Sequence, residues 1–249
     1  MSLSRTAAGS PFLRRPRLHR IRLRRPTAYV FPWTCQIPDL ASRYRDLFGR
    51  LKTDGTFVEV GAYDGESFSN TSGLADVGWA GLYVEPVPAY AHACARRHAA
   101  NKKVSVANCA VGPEVGEVDI HLGEGLSTAL DEQVEVYQQI DWTRGFHKGE
   151  RIRVPQFPLD QLLVHVGIEP GFELLVVDVE GSEDAVFDSF SLEAWMPRVV
   201  IVELIDHHPS FQSFDGVTKR SSELRERIKR AGYDEYYVDE INTIFSRTG

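Results

Sequence analysis

Apolar and polar positions change period several times along this chain, and the changes mark out its elements. Leu40, Tyr44, Leu47, Phe48 and Leu51 recur at three- and four-residue spacing, which predicts an amphipathic helix with Asp39 near its start. After the break at "TDG", the run "TFVEVG" predicts a strand. A helical stretch at about Ser67–Ala75 follows, then a strand in "GLYVEP", a helix in "AYAHACARRHAANK" and a third strand in "KVSVANCAVG". "GEVDIHLG" and "RIRVPQF" predict two additional strands on either side of a polar, irregular stretch, residues 123–150. A stretch of that size inside a compact domain predicts a lid or an acceptor-binding loop. "PLDQLLVHVG" predicts a helix, "ELLVVDVEG" the fourth main strand, "AVFDSFSLEAW" a helix, "RVVIVEL" the fifth strand and "SSELRERIKRAG" a helix ending at Gly232. "YDEYYVDEINTIFSR" closes the chain as an antiparallel pair.

Strands alternating with helices specify a mainly parallel sheet covered on both faces. Ligands of such sheets bind beyond the carboxyl ends of the strands, where the winding direction switches. That rule bears on "ELLVVDVEGSEDAVF". Leu174 to Val177 and Val179 are core-like, yet Asp178, Glu180 and Glu183 bring three carboxylates within six positions. A buried carboxylate takes up a proton or finds a cation. Asp178 and Glu180 are therefore expected where a buried strand emerges into a binding crevice. Glu183 is expected to open the next helix, where the helix dipole favours negative charge.

Composition narrows the class. A chain of 249 residues, 43% hydrophobic and 25% charged, suits one α/β domain. No apolar run reaches the ~18 residues of a membrane-spanning helix. Three widely spaced cysteines with no CxxC pair fit neither a disulfide scaffold nor a structural zinc site, so a reducing, cytoplasmic setting is the expectation. The net charge of −7 hides an asymmetry: residues 1–38 hold eight Arg and no acid, leaving 20 basic against 35 acidic residues in 39–249. The acidic body repels nucleic acid. The basic arm could fold back on that body, touch RNA or anionic lipid, or act as an organelle-targeting segment. No apolar segment of the secretory type follows its basic residues.

The first strand ends in "VEVGAYDGES", where Gly61 and Gly65 bracket a turn that lets a ligand approach the backbone. The GxGxxG of a pyrophosphate site is missing, and Asp64 would repel a pyrophosphate while suiting the amino group of S-adenosylmethionine. Glu85 stands 24 positions after Gly61 at the second strand's end, set to accept both ribose hydroxyls of an adenosine. Asn108, Cys109 and Ala110 would lie beside the adenine.

With "FVEVGAYDG", "YVEP", "ANCAVG", "PLDQLL" and above all "LLVVDVEGSE", the chain from Gly55 to Phe245 resembles the FkbM-type S-adenosylmethionine-dependent methyltransferases. The resemblance leaves the arm, 1–38, outside a methyltransferase domain of 39–249. It implies a class I, Rossmann-like seven-stranded sheet and methyl transfer to a hydroxyl of a sugar or secondary metabolite, a small-molecule or glycan acceptor. It also implies cofactor roles for Glu59, Gly61, Asp64, Glu85 and Asp178, with Tyr63, Gly65, Ser67 and Pro86 in the same cradle. Where many members carry GAN-x-G, this chain has Tyr63 and Asp64.

A hydroxyl becomes a good nucleophile as its proton leaves. Candidate bases at the strand tips are Asp178, Glu180, Glu203 and His207, with His208 beside it. Asp178, Glu203 and His207 could alternatively hold Mg²⁺, although no recognised metal spacing is present. Tyr137, Trp142 and His147 could shape the acceptor pocket or anchor the lid. Two rival readings stand: a nicotinamide-dependent oxidoreductase, disfavoured by the missing GxGxxG, and a non-catalytic scaffold docked through its Arg-rich arm.

Overall fold

The computed structural model describes residues 10–14 and 26–247. Five parallel strands run inward from one edge of the main sheet: β1 (Thr56–Val60), β2 (Ala80–Val84), β3 (Val104–Ala107), β7 (Leu174–Val177) and β8 (Val199–Glu203). The closing pair, β9 (Tyr233–Val238) and β10 (Asn242–Arg247), is antiparallel as expected. The order is β3-β2-β1-β7-β8-β10-β9, a class I methyltransferase sheet. Its winding reverses between β1 and β7, so the segments that follow their carboxyl ends turn to opposite faces and leave a crevice above the strand tips.

Period-two alternation divides the core. Val58, Val60, Leu175, Val177, Val200 and Val202 face one side. They pack on α5 (Leu159–Val166), α6 (Glu183–Asp188), α7 (Leu192–Trp195) and α8 (Asp215–Arg230). Phe57, Tyr83, Leu174, Val176, Val199 and Ile201 face the other. That side is covered by α1 (Leu40–Phe48), α2 (Ser72–Val77) and α3 (Pro88–Arg97). Because parallel strands are buried on both faces, their sequences read as unbroken apolar runs.

Several elements differ from the sequence-based expectation. The third strand splits: after Ala107 the chain leaves the main sheet, and β4 (Ala110–Val111) joins β5 (Gly116–His121) and β6 (Arg151–Phe157) in a small second sheet. The helix expected at Ser67–Ala75 starts only at Ser72, because residues 61–71 form turns in which Tyr63 and Phe68 take left-handed φ of 48° and 62°. Residues 123–150 are not irregular throughout. They contain a 3-10 turn at Glu124–Leu126 and α4 (Asp131–Gln139), whose Val136 and Tyr137 pack with Ile140 on Ile205, Phe211 and Val217. Within the arm, Tyr29 and Ile37 join the core beside Tyr44, so packing begins before Asp39. Pro11–Leu13 run antiparallel to the β3 edge, with the Leu13 N–H donating to Val106 O at 3.0 Å. Most of the Arg-rich stretch, residues 15–25, lies outside the described residues. No helix among the described residues is long and apolar enough to cross a membrane.

One buried cation fixes the segment beyond β8. Arg225 of α8 is buried and donates to both carboxylate oxygens of Asp206, at 2.6 and 2.9 Å, to Glu235 at 3.0 Å and to Thr243 at 3.1 Å. It ties the turn Ile205–His207 to the helix and to the closing strands. Removing one partner of a buried ion pair strands the other charge. Arg225→Met should therefore lower unfolding free energy by about 3 kcal/mol, read from urea denaturation. A loss within the experimental error would show that the pair does not hold this segment.

Candidate active site

The carboxyl ends of β1, β2, β7 and β8 open into a cavity of about 350 Å³. Residues 124–146 and 205–211 close its other side. At the end of β1, Glu59 is buried and accepts from Ser69 Oγ at 3.1 Å, Asn70 N at 3.3 Å and Thr71 Oγ1. Burial pushes its pKa up to about 7 against the pull of those bonds. Gly61 follows at φ 88°, and its N–H donates to Val84 O at 3.0 Å. A Cβ there would stand 1.6 Å from the carbonyl oxygen of Asp178, so the tips of β1 and β7 meet backbone to backbone.

Glu85, at the end of β2, lines the cavity and accepts from Tyr63 N at 2.9 Å and Val87 N at 2.8 Å. Burial nevertheless pushes its pKa up to about 8. Tyr63, Ser67, Pro86, Cys109 and Ala110 also line the cavity. Three expected cofactor residues do not. Asp64 turns inward on its own loop, accepting from Glu66 N at 2.8 Å, Ser67 N at 2.7 Å and Ser67 Oγ at 2.9 Å; it shapes the turn. Gly65 faces α3, where a Cβ would come within 2.7 Å of Cys94 Sγ. Asn108 donates its amide to the carbonyls of Glu85 and Pro86, at 2.9 and 2.8 Å, and so supports that wall from behind.

Asp178, Glu180 and Glu203 meet at the cavity floor, each offering a carboxylate oxygen within 4.8 Å of the others. Burial raises all three pKa values, those of Glu180 and Glu203 well above the ordinary range, and the neighbouring negative charges add to the effect on those two. Asp178 and Glu203 stand close to each other, and the repulsion between their like charges is relieved when one of them carries a proton. Tyr137 Oη donates to Glu180, and Thr128 Oγ1 donates to the Glu180 carbonyl at 2.7 Å. Glu180 itself sits at φ 56°, a left-handed conformation uncommon outside glycine. Glu183 opens α6 and accepts from Val179 N and Gly181 N, both at 3.1 Å, as its expected place at a helix start requires.

His207 does not join these acids. Its side chain is 55% exposed and lies 3.8 Å from Asp206, outside the cavity lining, whereas His208 lines the cavity against Trp142 and Phe211. The three-residue 3-10 turn sends neighbouring side chains in different directions, and sequence spacing alone does not reveal which faces in. Any hard divalent cation would meet Asp178, Glu180 and Glu203 rather than the expected set containing His207. His147 stacks on Tyr137 with ring centroids 5.6 Å apart and stays off the cavity. Sequence reasoning missed Glu124, Phe68, Phe146 and Phe211, which line it. No local pattern distinguishes them.

The cavity wall thus carries six carboxylates: Glu59, Glu85, Glu124, Asp178, Glu180 and Glu203. No Lys or Arg stands among the described residues that line it. The sequence profile described as "Methyltransferase FkbM domain" matches residues 59–235, well over half of the chain. The chain belongs to the FkbM methyltransferase family. Among solved structures, this FkbM methyltransferase is similar to the O-methyltransferase from Bacillus cereus in complex with SAH, with 13% identity over 87% of this chain and 84% of that one, TM-score 0.47. It is also similar to the O-methyltransferase TomG from Streptomyces achromogenes, involved in tomaymycin synthesis and in complex with SAM, with 15% identity over 86% and 84%, TM-score 0.46. The fibrillarin pre-rRNA processing protein of Methanococcus jannaschii matches at 12% identity over 80% and 68%, TM-score 0.43. No curated protein matches.

The buried acids give the FkbM methyltransferase a definite pH dependence. A carboxyl whose pKa is higher folded than unfolded binds more protons in the native state, so stability falls as pH rises toward the folded value. Glu59 and Glu183, at about 7, and Glu85, at about 8, set the window. Without ligand, stability should fall by at least about 2 kcal/mol between pH 5 and 8, and level off above that, in urea titrations. A flat or rising profile would contradict protonated acids in the cavity.

Proposed function

We propose that this FkbM methyltransferase uses S-adenosylmethionine to methylate a hydroxyl oxygen of a small molecule or glycan. The observation that carries the reading is a cavity at the strand tips walled by six carboxylates and lacking any lysine or arginine among the described residues. Such a wall accommodates a sulfonium nucleoside and repels the pyrophosphate of a nicotinamide dinucleotide, which disfavours the oxidoreductase reading.

The residues fit that cofactor. Glu85 keeps lone pairs beyond its two main-chain bonds and can accept ribose hydroxyls. Val84, Cys109 and Ala110 offer an apolar wall for a base, and the bare backbone at Gly61 leaves room beside Asp178. When bound, the sulfonium supplies an electrophilic methyl, whose bond to sulfur breaks with its electrons staying on sulfur as the bond to the acceptor oxygen forms. The chain's part is to hold the hydroxyl in line and take its proton. Asp178 or Glu203 takes it, since burial makes each a stronger base than a carboxylate in water. Glu180, fixed by Tyr137, orients the acceptor, and residues 123–150 act as the lid over it.

Calorimetry decides between the readings. SAM and SAH should bind at micromolar concentration and NAD should not; binding of NAD alone would favour the oxidoreductase, and binding of none the scaffold. A product carrying its new methyl on nitrogen or carbon, read by mass and NMR, would overturn the oxygen assignment. Glu85→Gln removes one acceptor oxygen from the ribose side and should raise the SAH dissociation constant roughly tenfold. An unchanged constant would reject that role for Glu85.

A further inference from the structure

The cavity combines two features. Its floor carries Asp178, Glu180 and Glu203. Its mouth is aromatic: Trp142 is 50% exposed, Phe68 45% and Phe146 39%, with His208 and Phe211 deeper in. All three partly exposed rings line the cavity, and apolar side chains at a polar cleft mark a binding site. The ring of Trp142 lies against His208, which leans on Phe211, so the platform is braced from below.

Aromatic faces beside unneutralised carboxylates recognise ammonium groups, through the ring quadrupole and through charge-assisted hydrogen bonds. An acceptor bearing phosphate or carboxylate would meet three acids here with no cation among the described lining residues. A neutral acceptor would leave the acids to share protons among themselves. Resting on the methyltransferase reading above, we infer that the acceptor is an amine-bearing ring compound. Its ammonium nitrogen binds the acids of the floor, its ring lies on Trp142, and its hydroxyl points at the methyl. One carboxylate then takes the hydroxyl proton, a second pairs with the ammonium, and Glu180 stays bonded to Tyr137.

The test uses the full chain saturated with SAH, in EDTA so that no divalent ion screens the acids. Calorimetric titration compares three probes built on one phenol ring: tyramine, 4-ethylphenol and 4-hydroxyphenylacetate. Tyramine should bind at least roughly tenfold more tightly than 4-ethylphenol, the gain expected of one charge-assisted hydrogen bond, and 4-hydroxyphenylacetate most weakly. Glu203→Gln should erase the tyramine advantage without loss of SAH binding, and Trp142→Ala should weaken tyramine and 4-ethylphenol alike. The probe series on the unaltered protein stands even where a variant fails to fold. Equal affinity for all three, tighter binding of the carboxylate, or no probe binding to a protein that binds SAH overturns the inference alone. Failure to bind SAH overturns the cofactor reading and this inference with it.

Discussion

Carboxylates removed from water need a donor, a proton or a cation, and the crevice at the strand tips applies that rule to five of them at once: Glu59, Glu85, Asp178, Glu180 and Glu203. The fold treats them in two ways. Glu59 and Glu85 are given fixed donors: hydroxyls and a main-chain N–H for the first, two main-chain N–H groups for the second. These acids are built into the walls and keep one orientation. Asp178 and Glu203 face each other as like-charged neighbours, and Glu180 has one tyrosine hydroxyl. The floor is left short of positive charge, and that shortage is what a cationic ligand would relieve.

The two halves of the cavity are mechanically joined. Gly61 lies so close to the Asp178 carbonyl that no side chain fits between them, and Asp178 N donates back to Val60 O at 3.0 Å. A shift of the β1 turn therefore moves the tip of β7. Two residues on, Glu180 carries left-handed backbone strain and is held by two residues of the lid region, Thr128 through its carbonyl and Tyr137 through its carboxylate. Strain of this kind persists where surrounding bonds over-determine it, and such positions gather at functional sites. The chain from Gly61 to Asp178 to Glu180 thus connects the side where Glu85 stands to the loop that covers the acceptor side. Arg225 anchors the third edge, fixing the turn that presents Ile205 and His208.

The sheet was legible because parallel strands buried on both faces spell uninterrupted apolar runs, and because acids directly after such runs have nowhere to go but a crevice. Glu85, Asp178, Glu180 and Glu203 are all found that way. Asp64 shows the limit of the same reasoning: a carboxylate in a glycine turn looks like a ligand group, yet it satisfies itself on N–H groups two and three residues ahead. The Asn108 amide likewise turns back, to the carbonyls of Glu85 and Pro86. The helix Asp131–Gln139 was hidden because only a narrow apolar strip breaks its polar surface, and that strip has meaning only against Ile205 and Phe211, some seventy residues later. The choice between His207 and His208 depends on the phase of one short turn, which no local pattern encodes.

On the proposed reaction, the same shortage of positive charge favours the chemical step. Before transfer the cavity would hold a positive sulfonium and a negative carboxylate. Afterwards it would hold a neutral thioether, an ether and a protonated acid, so one charge of each sign disappears together. Burial raises the free energy of separated charges, and the raised pKa values of Asp178 and Glu203 express that cost for the acids. A carboxylate that resists ionisation is a better proton acceptor than one in water, and it accepts at the moment the neighbouring positive charge is lost. Desolvation, which costs the apo protein stability as pH rises, would on this reading be the property that lets an acid of the ordinary type act as the base.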